Sequence, residues 1–160
     1  MTQNANDQTE NDVLTVALVD DDPMWRFLTS TALRERGWVV EDYDSGCVLL
    51  DRLPTIAADI VLIDAMMPVM DGFATCRELR KHAIGQNLPI LMLTSLEDDD
   101  SIRDAYDAGA TDFFIKSTHW ALLAERIRHL VRLSEIGRQL DRSNARLAKV
   151  HTAARAGTFD

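Results

Sequence analysis

Five polar side chains in this chain stand where an apolar run gives out. VLTVALV at 13–19 leads into Asp20 and Asp21, ADIVLID at 58–64 ends on Asp64, LPILMLT at 88–94 on Thr94, and TDFFIK at 111–116 on Lys116. Any one such ending is ordinary, because strand ends are polar and helix N-caps favour Asp and Ser. Five on one edge form a constellation. Carboxylates about 4 Å apart repel by roughly 4 kcal/mol at an effective dielectric near 20, so three of them clustered there need relief. A hard divalent cation supplies it, and Mg²⁺ prefers a few carboxylates together with water and phosphate oxygens. One carboxylate is then left to attack phosphorus and form an aspartyl phosphate. Thr94 and Lys116 would bind the transferred phosphoryl oxygens, stabilising charge rather than doing covalent work.

The elements that must position these residues follow from periodicity. After Asp20-Asp21-Asp22, Pro23 suits a first helical turn, and Met24, Phe27, Leu28 and Ala32 recur at helical spacing until Gly37. WVVEDYD at 38–44 reads as a second strand and SGCVLLDRL at 45–53 as a short helix ended by Pro54. Beyond the third strand and the loop AMMPVMDG at 65–72, Phe73, Cys76, Leu79 and Ala83 mark a helix. Ile102, Ala105 and Tyr106 mark another, and the chain is helical from about Trp120. Five strands alternate with five helices, and the strands are solid apolar runs. This predicts an α/β fold, a doubly wound parallel sheet covered on both faces with its ligand site at the carboxyl ends of the strands.

Composition agrees with one domain plus an extra element. The 160 residues are 46% hydrophobic and 27% charged. Cys47 and Cys76 have no metal or redox spacing, which points to a reducing compartment. No apolar run is long enough for a membrane span, and MTQNANDQTEND at the start reads as a disordered lead-in, not a signal peptide. The net charge of −9 is unevenly spread: residues 1–124 carry 22 acidic and 9 basic side chains, residues 125–160 only 4 acidic and 8 basic. An acidic body is a poor nucleic-acid binder, and the basic tail suggests a second module.

LVDDD at 18–22, VLIDAMMPVMDG at 61–72, LMLTS at 91–95 and GATDFFIK at 109–116, in that order at successive strand ends, resemble the receiver domain of two-component response regulators over about residues 13–133. The resemblance implies a flavodoxin-like five-stranded sheet of order 2-1-3-4-5, here with an extended C-terminal helix. It makes Asp64 the phosphoacceptor, supplied by a histidine kinase or phosphotransfer protein. Asp21 becomes a direct Mg²⁺ ligand, Asp20 acts through water on the ion, and the backbone carbonyl of Met66 is a further ligand. Thr94 matches the switch hydroxyl, Lys116 the phosphate-binding lysine and Phe113 the aromatic switch position. Asp22 is expected to be a helix N-cap. The implied role is cytoplasmic signalling through a phosphoacceptor, not enzymatic turnover.

Departures from the family pattern carry their own expectations. Ser117 follows the lysine where most such domains have proline after a cis bond. A cis bond before serine costs about 2.5–4 kcal/mol, so Lys116–Ser117 is predicted to be trans. Met66 and Leu96, two positions after the acceptor and the switch hydroxyl, are apolar and should shield the acyl phosphate, giving slow self-dephosphorylation. Glu97-Asp98-Asp99-Asp100 reads as the acidic first turn of a helix rather than a metal site.

In the tail, Leu133, Leu140, Leu147 and Ala154 recur every seven residues, with Ile136 and Val150 offset by three. This is a heptad seam interrupted by Ser143 and weakened by Gly137. Residues 134–160 are therefore read as a coiled-coil linker joining two copies in a parallel homodimer. The alternative is a helix folded back on its own domain. RSNARLAKVHTAARAGTFD resembles the lead-in to a PAS sensory domain, often of a cyclic-di-GMP regulator, so the chain is expected to continue toward an absent output domain. A stand-alone phosphoryl shuttle or adapter, a DNA-binding regulator using the basic tail, and a metal-dependent phosphatase using Asp20-Asp21-Asp22 are the other readings.

Overall fold

The computed structural model describes residues 12–95 and 98–156, with side chains to residue 150. Five strands, β1 (Thr15–Val19), β2 (Val39–Tyr43), β3 (Ile60–Asp64), β4 (Ile90–Thr94) and β5 (Asp112–Ile115), alternate with α1 (Pro23–Arg34), α2 (Gly46–Arg52), α3 (Gly72–Lys81), α4 (Asp99–Asp107) and α5 (Trp120–Ala156). All four strand pairings are parallel, and the sheet order is β2-β1-β3-β4-β5. The chain steps outward from β1 to β2, then returns past β1 to β3. The crevice at that reversal is where a doubly wound sheet binds its ligand. Asp20 and Asp64 end the two strands that flank it.

The solid apolar strands are explained by burial on both faces. Val16, Leu18, Ile60, Leu62, Leu91 and Leu93 pack with Leu33 of α1 and Leu123, Ile127 and Leu130 of α5. The alternate residues Ala17, Val19, Val61, Ile63, Ile90 and Met92 pack with Leu49 of α2, Cys76 and Leu79 of α3 and Ala105 of α4. Period-two alternation thus sends each strand's residues into two separate cores.

The connections that enter α1, α2, α3 and α4 on the ligand side each carry a side-chain cap. Asp22 Oδ1 accepts from the backbone N–H of Met24 (2.9 Å) and Trp25 (3.4 Å), as predicted, with Pro23 in the first turn. Ser45, Asp71 and Asp98 cap α2, α3 and α4 in the same way. Asp99 and Asp100 lie in the first turn of α4, the dipole-favoured position expected of that acidic run. Helix α3 is shorter than its apolar spacing suggested. It stops at Lys81, because His82 turns to extended backbone (ψ 143°), and Ala83 falls outside the helix.

Helix α5 is continuous over 37 residues, running through both Gly137 and Ser143. Its first three turns are buried against the sheet as far as Val131, and from Arg132 to Val150 almost every side chain is exposed. Over the described residues the tail therefore leaves its own domain and does not fold back on it. No described helix is long and apolar enough to cross a membrane.

Candidate functional site

The carboxyl ends of β1, β3, β4 and β5 bring the predicted residues together. Carboxylate oxygens of Asp20, Asp21 and Asp64 all lie within 4.8 Å of one another. Asp20 and Asp64 are buried and Asp21 is exposed, so the cluster has a closed floor and an open mouth. Lys116 Nζ reaches in from the end of β5, donating to Asp20 Oδ2 at 2.8 Å and lying 3.2 Å from Asp64 Oδ2. Thr94 is buried at the end of β4, and its carbonyl accepts the backbone N–H of Lys116 at 2.8 Å, which fixes the two strand ends side by side.

Backbone donors hold the acids in place. Asp20 Oδ1 accepts the N–H of Asp22 (3.0 Å), and Asp20's carbonyl accepts Arg26 Nη1 (2.8 Å), so the first turn of α1 is tied to the end of β1. Asp64 Oδ1 accepts the Met66 N–H at 3.3 Å. The loop after Asp64 comes back on itself at Gly72, where a Cβ would stand 2.2 Å from the Asp64 carbonyl oxygen. Only glycine permits that approach.

The electrostatics of the cluster follow from its burial and its charges. Burial, reinforced by the charge of Asp20, raises the Asp64 carboxyl to about 6 in spite of Lys116 and the Met66 N–H. Lys116 is also raised: burial works against its charge, but the hydrogen bond and charge of Asp20, and then the charge of Asp64, outweigh it. Three carboxylates thus face one ammonium. A divalent cation with oxygen ligands fits this donor set, because it removes the repulsion that raises Asp64.

The other predicted positions are distributed around this centre. Phe113 is half-buried and packs against the core cluster that contains Ala105 of α4 and Ala108 just after it, on the sheet face away from α1 and α5. The Met66 side chain is exposed at the rim. Leu96 and Glu97 lie outside the described residues, as does the side chain of Ala154. The Lys116–Ser117 bond is trans, as expected. The seam residues Leu133, Ile136, Leu140, Leu147 and Val150 are remote from the acidic centre and exposed.

Two features of the site escaped the sequence. Trp25 and Trp120, from α1 and α5, meet edge to face beside Lys116. Both follow strand ends that carry site residues, but their contact depends on how two helices distant in sequence cross. The second is Val69, in the loop after Asp64, with φ at 71° and its side chain fully exposed. A β-branched residue in that left-handed region is strained by about 1–2 kcal/mol, against roughly 0.5–1 kcal/mol of extra chain entropy lost by glycine. Val69→Gly is therefore expected to stabilise the protein by about 0.5–1 kcal/mol, measured by urea unfolding.

The doubly wound sheet, with an acid cluster and a lysine at its switch point, defines a phosphoryl-handling signalling domain of the α/β class. Residues 16–128, well over half of the chain, match the model of the response regulator receiver domain, and the chain belongs to that family. Among curated relatives it is 36% identical over 117 residues to response regulator MprA of Mycobacterium sp. (strain KMS), covering 73% of this chain and 50% of that protein. Among solved structures, chemotaxis protein CheY4 of Vibrio cholerae is 27% identical with a TM-score of 0.71, covering 74% of this chain and 99% of that one. The receiver domain of sensor histidine kinase PA1611 from Pseudomonas aeruginosa PAO1, which has a magnesium ion coordinated in its active-site cleft, is 26% identical. Its TM-score is 0.68, with 75% of this chain and 98% of that one covered. The chain spans about half the length of the curated relatives it matches. It is a phosphoacceptor receiver domain of the response-regulator type, and the doubly wound 2-1-3-4-5 fold is the one expected.

Proposed function

We propose that Asp64 accepts a phosphoryl group from the phosphohistidine of a kinase or phosphotransfer protein in the cytoplasm, and that α5 passes the resulting change to an output module. The observation that carries this reading is the grouping of Asp64 with Asp20, Asp21 and Lys116 at the switch point of the sheet. A carboxyl near 6 is largely ionised at neutral pH, so Asp64 is available as the nucleophile. One of its oxygens bonds to phosphorus as the phosphorus–nitrogen bond to imidazole breaks, and the imidazole leaves with the electron pair. Lys116 binds an oxygen of the transferred group, and the Thr94 hydroxyl closes on another.

Asp20, Asp21, Asp64 and the Met66 carbonyl would hold Mg²⁺, which when bound offsets the charge of the phosphoryl oxygens. Movement of Thr94 leaves room for Phe113 to turn inward, which remodels the surface formed by α4, β5 and α5. The chain does no turnover beyond its own phosphorylation and slow loss of the group, shielded by Met66 and Leu96.

The donor protein must cover the mouth of the site to reach Asp64. Met24, Phe27 and Leu28 share one face of α1, the helix that starts beside Asp20 and Asp21, and they are exposed at 65, 65 and 38%. That apolar face is where the donor docks. A phosphohistidine protein that phosphorylates the wild type should transfer at least about tenfold more slowly to Phe27→Glu, while acetyl phosphate reacts with both alike, because only the protein donor buries that side chain.

The central test is intact mass after acetyl phosphate treatment, with and without Mg²⁺, on the wild type and on Asp64→Asn. The expected result is a Mg²⁺-dependent gain of one phosphoryl group that the variant lacks. A gain in both proteins would move the acceptor elsewhere, and no gain in either would overturn the reading.

A further inference from the structure

We infer that Trp25 is a positioning residue for Lys116, which rests on the phosphoacceptor reading of the site. Lys116 Nζ, paired with the Asp20 and Asp64 carboxylates, also stands 5.4 Å from the centroid of the Trp25 ring. That distance is within the range of a cation–π contact. The Trp25 ring is itself held by Trp120, the first residue of α5. The two centroids are 6.2 Å apart, with planes at 69°, the edge-to-face arrangement aromatic pairs favour. Between Trp25, Phe114, Lys116 and Trp120 the cavity is only about 10 Å³, too small for more than a single water.

The need for such a support is visible in the chain that follows. Ser117 succeeds Lys116 through a trans bond, and only residues 116–119 separate β5 from α5. Ser117 and Thr118 are exposed; Ser117 Oγ accepts the His119 N–H at 3.3 Å, and the Thr118 carbonyl accepts that of Trp120 at 3.0 Å. These bonds order the turn without touching the lysine side chain. Its ammonium is held by two carboxylates, and the Trp25 ring beside it is a neutral partner that limits where it can go. When Asp64 carries a phosphoryl group, the lysine must bind an oxygen of that group rather than the bare carboxylate. An ammonium already held at the edge of the site makes that change over a short path.

The test compares wild type, Trp25→Phe, Trp25→Leu and Trp25→Met. The last keeps a bulky apolar side chain without a ring and stands in if Trp25→Leu folds poorly by circular dichroism. Two quantities are read: the rate of phosphorylation by acetyl phosphate at saturating Mg²⁺, and the proton shift of the Lys116 ε-methylene by NMR. The ringless variants should react about tenfold more slowly and lose the upfield ring-current shift, while Trp25→Phe stays within about threefold and keeps part of it. Equal rates in all four proteins, or Trp25→Phe as slow as the ringless variants, would overturn the role of Trp25 alone. A wild type that takes no phosphoryl group would remove the phosphoacceptor reading, and the role of Trp25 with it.

Discussion

Asp64→Asn is expected to make the metal-free protein more stable at neutral pH while ending phosphoryl acceptance. The Asp64 carboxyl is raised from an ordinary value near 3.8 to about 6 by burial and by Asp20. A raised acid binds its proton more tightly in the folded than in the unfolded chain, so stability falls as pH rises through the window from about 4 to 6. Above 6 the whole cost of holding the ionised carboxylate is present. At 1.36 kcal/mol per unit of pKa, that cost is on the order of 3 kcal/mol. Asparagine has nearly the same shape and no charge, so it removes the cost without opening a cavity. Urea unfolding in a chelator at pH 7.5 should therefore show the variant ahead by about 3 kcal/mol, with the gap shrinking toward pH 4.5 as wild-type Asp64 takes up its proton. Mg²⁺ should narrow the gap from the other side, because it stabilises the wild type in proportion to its differential affinity for the folded state. A variant no more stable than wild type at pH 7.5 would show that Lys116 fully compensates the cluster. Under the proposed reading the site trades stability for reactivity, since the repulsion that raises Asp64 is what would attract a cation.

Much of this site is legible in the amino-acid sequence, and the reason is local. The strands are solid apolar runs, so their ends are sharp, and Asp20, Asp64, Thr94 and Lys116 each follow directly from where hydrophobicity stops. Parallel strands bring those ends to one edge with no further information. The capping role of Asp22 is legible for the same reason, since Asp-Pro before a helical stripe has few other meanings. What is not legible depends on angles and on backbone that composition does not mark. Ala83 keeps the apolar spacing of α3, yet the helix has already ended at Lys81, because tertiary context decides an end that no glycine or proline announces. The strain at Val69 has no signature in residue type. The meeting of Trp25 with Trp120 is set by the packing of α1 beside α5 on the same face of the sheet, and two tryptophans 95 positions apart carry no sign of it.

We propose that the tail pairs two copies of the chain, so that replacing Leu140 and Leu147 with glutamate should convert a dimer to a monomer. A helix that leaves its domain and exposes Leu133, Ile136, Leu140, Leu147 and Val150 at 47–66% on one seam has apolar surface in need of a cover. The spacing of seven with an offset of three is what a second copy of the same helix fits, in parallel, each residue meeting its own counterpart. The seam is short, however, and Ser143 occupies one of its core positions. Gly137 adds flexibility at its flank, and the flanking Arg132 and Arg146 face no acidic partner in the parallel register. A pairing built from about three heptads with those defects should be weak, with a dissociation constant on the order of micromolar, so it is poised to respond to changes in the receiver. Sedimentation across a concentration series would show this as a monomer–dimer equilibrium. Burying two glutamates per helix costs several kcal/mol, so Leu140→Glu with Leu147→Glu should weaken association by more than about a hundredfold while the phosphorylation rate with acetyl phosphate stays unchanged. Equal association of variant and wild type would place any dimer contact elsewhere. A wild type that remains monomeric at all concentrations would leave the seam to a helix of a different chain, and the signal would then pass to a partner rather than to a second copy.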